Sequence, residues 1–425
     1  TTLRFIATVW NCTVPARTRK PVHNARTRKL LKHRVPEKSH LGEPATADSS
    51  AWLTVAIDRA ALMHNISVFR HLVEQPTRVL AVVKANAYGH GLLIAAEAFM
   101  AGGADLLGVH SWAEAQGLRD GGIEADIIIL GPVNAAEAVA AAQAGVEITL
   151  PGLELMSEIA SALGDAPLRA HLKVDTGVNR QGIRLQEWPA VRELLAACPS
   201  LELVGLSSHY ADIEDTTDHG FAETQMARFE EFVALLAKDG YSDLQRHMSC
   251  SAATLVWSRT HGDITRVGVS AYGVWPSRET RVSVRQRGRQ EVSLRPAMTW
   301  QVRISQVREV AAGETVGYGR SWKAMTDSRV AILPVGYSDG WPRALGGRAH
   351  VLVGGRRAPL IGRICMNLCM VDVTHVPAAC AGDPAVLLGS QGDETITPEM
   401  LADHLNTIAY EVLTLPGPTW SRVVV

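Results

Sequence analysis

A chain of 425 residues is long for one domain and comfortable for two. A formal net charge of −1, with 47% hydrophobic and 20% charged residues, describes a globular protein and argues against a general nucleic-acid or anionic-membrane binder. The cysteines at 12, 198, 250, 365, 369 and 380 form no CxxC pair and lack a nearby histidine pair, which argues against a zinc site and for ordinary thiols in a reducing cytoplasm. No apolar run reaches the length of a membrane span.

Residues 1–50 are rich in Arg and Lys, poor in acids and without helical or strand period, and ARTRK occurs twice, at 16–20 and 25–29. A nucleic-acid tail and a transit-like leader are both readings of this segment; a disordered extension is the simpler one. Residues 51–61 are expected to form a leading strand that packs with the C-terminal part of the chain. From residue 62 to 288 short apolar runs alternate with Ala- and Leu-rich amphipathic stretches. The runs are 79–83, 104–109, 126–131, 146–150, 169–175, 203–208, 246–249 and 266–273; helices are expected at 92–102, 111–120, 134–144, 153–163, 187–197 and 221–239, with a shorter link near 251–258. Runs buried on both faces and joined by helical crossovers make a parallel sheet, and eight such units suit a closed (β/α)8 TIM barrel, with an open doubly wound sheet as the alternative. Residues 280–292 are polar and Arg-rich and read as a linker. From 289 to 425, runs such as 299–310, 329–335, 349–355 and 369–376 alternate or are β-branched between Gly and Pro turns, which predicts a mostly antiparallel β domain with one helix near 397–408.

Barrel strands deliver residues to a C-terminal face where loops build a site. Lys84 ends the first strand, in AVVKANAYGHG; Lys173, Asp175 and Arg180 follow the fifth; Ser207, Ser208 and His209 end the sixth; His247, Ser249 and Ser251 lie at the seventh, and Arg266 at the eighth. Each has a bland reading: Lys84 a solvated charge, Asp175 an Asx turn, Arg180 a surface charge, His209 a core imidazole, Ser251 a helix N-cap. Their coincidence at one end of successive strands is what favours function. The chain has no GxSxG elbow, no HExxH and no phosphate loop of the G-x-x-x-x-G-K-[ST] type. A lysine amine forms a Schiff base once its pKa is lowered. Ser251, Tyr88 and the backbone near Gly268 and Val269 suit a phosphate, and Arg266 suits a heterocyclic nitrogen. Together these suggest pyridoxal phosphate.

AVVKANAYGHG (81–91) resembles the signature of bacterial alanine racemases, in which the lysine carries pyridoxal 5′-phosphate as a Schiff base. The resemblance continues through LKVDTGVNRQG (172–182), SSHYAD (207–212), HMSCSAA (247–253), TRVGVSAYG (265–273), VGYGRSW (316–322), LPVGYSDGWPR (333–343), GRICMNLCMVDV (362–373) and TIAYEV (407–412). It implies Lys84 and Tyr318 as two catalytic bases on opposite faces of the cofactor, with Tyr318 and Met366 donated by the partner in a homodimer. It implies that His209 and Arg266 support the tyrosine, with His247 behind them. Tyr88, Ser251, Gly268, Val269 and Tyr410 match the phosphate shell, Arg180 the substrate-carboxylate arginine, Lys173 a lysine that is often carbamylated, and Tyr337 with Tyr410 the narrow way in.

The resemblance implies interconversion of L- and D-alanine, a cytoplasmic place in D-alanine supply for peptidoglycan, and no metal, nucleic acid or membrane. Three positions depart from the family pattern: Cys250 stands where Asn is expected, Asn367 where many members have Asp, and Gln181 where an apolar residue is common. They motivate the alternative of a broader racemase for serine or other small amino acids. A non-enzymatic pyridoxal-phosphate protein built on a single barrel is the more distant alternative, and the β domain with Tyr318 speaks against it.

Overall fold

The apolar runs form parallel strands because helices cover their outer faces and the barrel interior covers the inner ones. A computed structural model describes residues 51–288, 292–417 and 420–425; the basic segment 1–50 lies outside them. After β1 (Leu53–Ile57), the barrel strands are β2 (Arg78–Val82), β3 (Leu106–Val109), β4 (Ile127–Ile129), β5 (Glu147–Leu150), β6 (Leu168–Lys173), β7 (Leu201–Ser207), β8 (Gln245–His247) and β9 (Ile264–Val267). They hydrogen-bond in the order β8-β7-β6-β5-β4-β3-β2-β9. Ile127, Ile128 and Ile129 are all buried, as expected of a strand covered on both sides.

The weak seventh run is the short β8, and no ladder joins it to β9 among the described residues. The seam closes instead through hydrogen bonds outside a ladder, among them Asp263 N donating to Arg246 O at 2.9 Å and Arg246 N donating to the Asp263 carboxylate at 2.8 Å. A TIM barrel with one stitched seam therefore replaces the open-sheet alternative.

The crossover helices start and stop on local signals. Asp58 caps Arg59–Leu72 by accepting from Ala61 N, and Asn134 with Glu137 forms a capping box on Ala135–Gln143. The eighth run ends as a strand at Val267 and continues as a 3₁₀ turn, Val269–Tyr272. The segment expected as a linker is in part the helix Arg278–Gln286, which Ser277 caps and whose Thr280, Ser283 and Val284 are buried. Its apolar positions are too few to reveal it among the arginines. No helix of the described residues is long and apolar enough to cross a membrane.

The second half is a mostly antiparallel β domain. Its strands are β10 (Met298–Arg303), β11 (Gln306–Val310), β12 (Thr315–Val316), β13 (Trp322–Lys323), β14 (Ser328–Leu333), β15 (His350–Val353), β16 (Arg356–Ile361), β17 (Cys369–Asp372), β18 (Pro384–Gln391), β19 (Glu394–Ile396) and β20 (Ser421–Val424). The run 299–310 is two strands: β10 pairs with β1 and β18, then Ser305 turns the chain by bonding Ile332 O so that β11 pairs with β14. β1 lies in this sheet, antiparallel to β10 and parallel to β20. The expected helix near 397–408 is Pro398–Leu405, and a second, Ala409–Thr414, follows it.

Candidate functional site

Lys84 stands just beyond β2 at the barrel mouth, and the chain then makes an unusual turn. Ala85, Asn86, Ala87 and Tyr88 all have φ between 51° and 55°, a left-handed turn closed by Gly89 at φ 83°. Such a turn costs about 1–2 kcal/mol per non-glycine residue, so it needs outside support. Glu114 supplies some: its carboxylate accepts from Ala85 N at 2.6 Å and His110 N at 2.8 Å. The buried His90 ring presents Nδ1 to the Ala87 and Tyr88 carbonyls and packs on Tyr272, whose hydroxyl donates to Val82 O. Arg422 donates to Gly89 O from the β domain. A side chain at Gly89 would collide with Leu413 O at 2.3 Å, so glycine is required there.

Around this turn the structure gathers the barrel residues singled out in the sequence. Burial, then the Arg180 charge, lowers the pKa of the Lys84 amine, with Glu114 opposing and Arg266 adding. The buried Tyr88 packs on Tyr272 and Tyr410. Burial, then Glu214, raises the pKa of both the Tyr88 and the Tyr410 phenol, so both are neutral donors. Ser251 does not cap its own helix; its Oγ accepts from Gly268 N at 2.9 Å. A Cβ on Gly268 would lie 2.7 Å from Tyr88 Oη. Tyr88, Ser251, Gly268 and Val269 thus form a close cluster of neutral groups in which a larger residue at 268 would meet the Tyr88 hydroxyl.

Arg266 lies inside β9 and is buried. Its Nη1 faces His247 Nδ1 at 2.8 Å and His247 O at 2.9 Å, and its Nη2 faces Ser208 O, Met248 O and, at 3.3 Å, His209 Nδ1. The Nη hydrogens are therefore committed to neutral acceptors, and Nε–H is the guanidinium donor without a protein acceptor among the described residues. Burial brings Arg266 down to about 10, still protonated at neutral pH. Because Arg266 donates, His209 Nδ1 accepts and the His209 proton belongs on Nε2. Burial and then the cations Arg266, Lys173, Arg180 and Lys84 hold His209 well below the usual imidazole range.

Lys173 and Arg180 line one small cavity with Ser208 and His209. Burial, then Arg266 and Arg180, lowers the Lys173 amine well below its usual value against the pull of Asp175. Asp175 is an Asx turn: its carboxylate accepts from Gly177 N and Asn179 N and shapes the loop that carries Arg180.

Tyr318, Tyr337 and Met366 are elsewhere. They line a recess on the β domain with Arg343, Arg363, Cys365 and Asn367. Tyr318 is 73% exposed and Met366 57%. Asn367 donates to Ser338 Oγ and to the Asp339 carboxylate, fixing the turn that carries Tyr337; an Asp at 367 would face Asp339 with like charge. Tyr410, in the helix Ala409–Thr414, joins the barrel set, its hydroxyl donating to Glu214 at 2.9 Å.

Comparison with known proteins gives these two groups a common frame. The family model for the alanine racemase N-terminal domain matches residues 57–276, and that for the alanine racemase C-terminal domain matches residues 297–424. The chain belongs to the alanine racemase family. It is 36% identical over 375 residues to an alanine racemase from Nostoc sp., covering 86% of this chain and 95% of the relative. It is 38% identical over 379 residues to one from Desulfosudis oleivorans, covering 86% of this chain and 94% of that one. Among solved structures, the alanine racemase of Bacillus anthracis with bound L-Ala-P superposes with a TM-score of 0.82 at 30% identity, covering 88% of this chain and 95% of that one. That of Streptomyces lavendulae, a D-cycloserine producer, gives 0.81 at 33% identity, covering 88% and 97%. As an alanine racemase family member the chain carries, beside the residues read from sequence, Glu114, Glu214 and His171 in and behind its site. Nothing in their local sequence distinguishes them from ordinary acids and a core histidine.

Proposed function

We propose that this chain interconverts L-alanine and D-alanine with pyridoxal 5′-phosphate held at the barrel mouth. The observation that carries the reading is the division of labour at one end of the barrel strands: an amine of lowered pKa, a cluster of neutral groups around Gly268, and a buried arginine with Nε–H still to give. These fit the aldehyde, phosphate and heterocyclic nitrogen of the cofactor in turn. The bound cofactor supplies an electron sink that acidifies the substrate's α-proton.

The chain's own groups supply the rest. Lys84 tethers the cofactor and, as a free amine, takes or returns the α-proton on one face. The partner subunit's Tyr318 serves the opposite face, so neither base needs to move. Its exposure on a β-domain recess, away from its own barrel set, supports a homodimer in which Tyr318 and Met366 reach the neighbouring site. A phenol of ordinary pKa near 10 is a weak base. His209, neutral and carrying its proton on Nε2, donates to the tyrosine oxygen and stabilises the phenolate. Arg266 keeps its own proton, so it would leave a ring nitrogen facing it unprotonated, which would keep the electron sink weak and suppress side reactions. Arg180 binds the substrate carboxylate and Tyr337 narrows the approach. Ser251, Tyr88, Gly268, Val269 and Tyr410 hold the phosphate.

Lys173 is suited to carbamylation because its amine is biased to the neutral form. Its nitrogen adds to the carbon of CO2, a proton leaves to solvent, and the resulting anion sits beside Arg180. The proposed domain division is a leading segment at 51–61, the cofactor barrel at 62–288 and the β domain at 289–425; within the first the strand is only Leu53–Ile57, because Asp58 already caps the helix that begins at Arg59. D-Alanine made in the cytoplasm feeds peptidoglycan synthesis.

The test is L-alanine with purified protein and cofactor in deuterated water. D-Alanine carrying solvent deuterium at Cα is expected. Absence of D-alanine overturns the reading, and D-alanine that keeps its original proton overturns the two-base assignment.

A further inference from the structure

Behind Arg266 a row of polar side chains crosses the barrel interior, where apolar layers normally sit. His247 Nε2 lies 3.0 Å from His171 Nδ1, and His171 Nε2 lies 2.7 Å from Glu147 Oε2. Glu147 Oε1 accepts from Arg169 Nε at 2.7 Å. His171 and His247 are 0% and 1% exposed. The order of protons along this row is forced. Arg266 donates to His247 Nδ1, so the His247 proton is on Nε2; His171 Nδ1 must then accept it, and the His171 proton is on Nε2, given to Glu147. Glu147 remains an anion: burial pushes its carboxyl up, but the hydrogen bond from His171 and the Arg169 guanidinium hold it below the usual carboxylate range.

The barrel is shaped around this row. A Cβ on Gly205 of β7 would lie 1.9 Å from His171 Nδ1, so a glycine in mid-strand makes room for the ring. The β6–β7 register shifts between Ala170 and His171, the kind of irregularity that re-aims a side chain. Among the described residues the Arg266 side chain hydrogen-bonds only neutral acceptors, and this row links it to a carboxylate.

We propose that Glu147 and His171 are positioning residues for Arg266: by fixing the proton of His247 on Nε2 they hold the guanidinium so that its Nε–H points into the cofactor cleft. This rests on the reading of Arg266 as the group that faces the cofactor ring. Without the Glu147 acceptor, His171 is free to place its proton on Nδ1, where it opposes the His247 proton; the His247 ring must then turn, and Arg266 loses its acceptor. The cost should fall on turnover rather than on alanine binding, because in the proposed site Arg266 faces the cofactor ring and Arg180 binds the substrate carboxylate.

The test combines ¹⁵N NMR of histidine-labelled protein with racemisation kinetics. In the unmutated protein both His171 and His247 are expected as neutral Nε2–H tautomers; a proton on Nδ1 of either overturns the proposal, and this measurement needs no variant to fold. In Glu147→Ala the ordered tautomers should be lost and kcat should fall by about tenfold or more, as for other removed outer partners, while KM for alanine changes little. Glu147→Gln keeps an acceptor oxygen and should retain the tautomers and most of kcat. Unchanged tautomers or unchanged kcat in Glu147→Ala overturns the proposal. Failure of the unmutated protein to racemise alanine refutes the function instead and leaves the tautomer result standing.

Discussion

Glu214 offers a quantitative check on the electrostatics of the cleft. Its carboxyl is held up to about 7, from an ordinary 4.5, chiefly by burial; the hydrogen bond from Tyr410 opposes and Asp215 adds to the rise. The groups around it are Tyr88, Tyr410, Cys250 and Asp215, and none supplies a cation. Because the folded state holds this proton more tightly than the unfolded state, the contribution is fully present below pH 4.5. It falls as pH rises from 4.5 towards 7 and is lost above. At about 1.4 kcal/mol for each pH unit of separation, the loss is about 3 kcal/mol.

The buried histidines act in the opposite sense. His90, lowered to about 4 by burial, gains stability as pH rises through the same range, so the slope of the unmutated protein alone is uninformative. Glu214→Gln keeps a hydrogen-bonding partner for Tyr410 and cannot ionise. The measurement is the difference in unfolding free energy between protein and variant, by urea titration at fixed protein and cofactor concentration, from pH 4.5 to 8. The unmutated protein should lose about 3 kcal/mol relative to the variant across that range. A difference that stays constant, or runs the other way, refutes the assignment. The same proton governs Tyr410: when Glu214 is ionised the phenol donates to it, and when Glu214 is protonated the phenol is free to donate elsewhere. Cofactor affinity of the apoprotein should therefore weaken as pH passes 7, and in Glu214→Gln that weakening should disappear.

Two further outcomes test the two halves of the site. Lys84→Ala and Tyr318→Phe should each be nearly inactive alone, yet a mixture of the two, allowed to exchange subunits, should recover activity from the one intact site of the mixed dimer; no recovery would place Tyr318 in its own subunit's site. Gly268→Ala puts a methyl 2.7 Å from Tyr88 Oη, and at about 1–3 kcal/mol for such overpacking the apoprotein should bind pyridoxal phosphate about tenfold to a hundredfold more weakly. Equilibrium titration of the apoprotein reads this directly, and unchanged affinity would remove Gly268 from the phosphate shell.

The parts of the fold that were legible are those with local causes. The isoleucines at 127–129 suit a strand covered on both sides, and the Ala-rich stretch 134–144, expected as a helix, is Ala135–Gln143, whereas the helix Arg59–Leu72 that Asp58 starts was not read from the sequence. The residues at strand ends were legible because a barrel brings all those ends to one face. The split of 299–310 into β10 and β11 was not, since buried Ile304 continues the alternation of Trp300 and Val302, and the bonds of Ile304 N to Asp383 O and Ser305 N to Ile332 O show the chain changing partners. The row behind Arg266 was hidden for the same reason. His171 reads as a core histidine in an apolar run and Gly205 as a flaw in another; that one exists for the other appears only when β6 lies beside β7.

The left-handed turn after Lys84 carries this furthest. Ala-Asn-Ala invites a right-handed helix, and nothing in AVVKANAYGHG asks for four consecutive residues of positive φ. The chain adopts that conformation because groups far away in sequence stabilise it: Glu114 binds its first N–H, Arg422 binds Gly89 O, and the Leu413 carbonyl fits against a glycine that has no Cβ to obstruct it. Two of these three come from the β domain. The position of the lysine at the barrel mouth is thus set partly by the domain that also carries Tyr318. A barrel without that domain would keep Lys84 in its sequence and lose the contacts that hold the following turn in its costly conformation. In this chain the second domain therefore contributes to both proposed bases, presenting Tyr318 and helping to fix the place of Lys84.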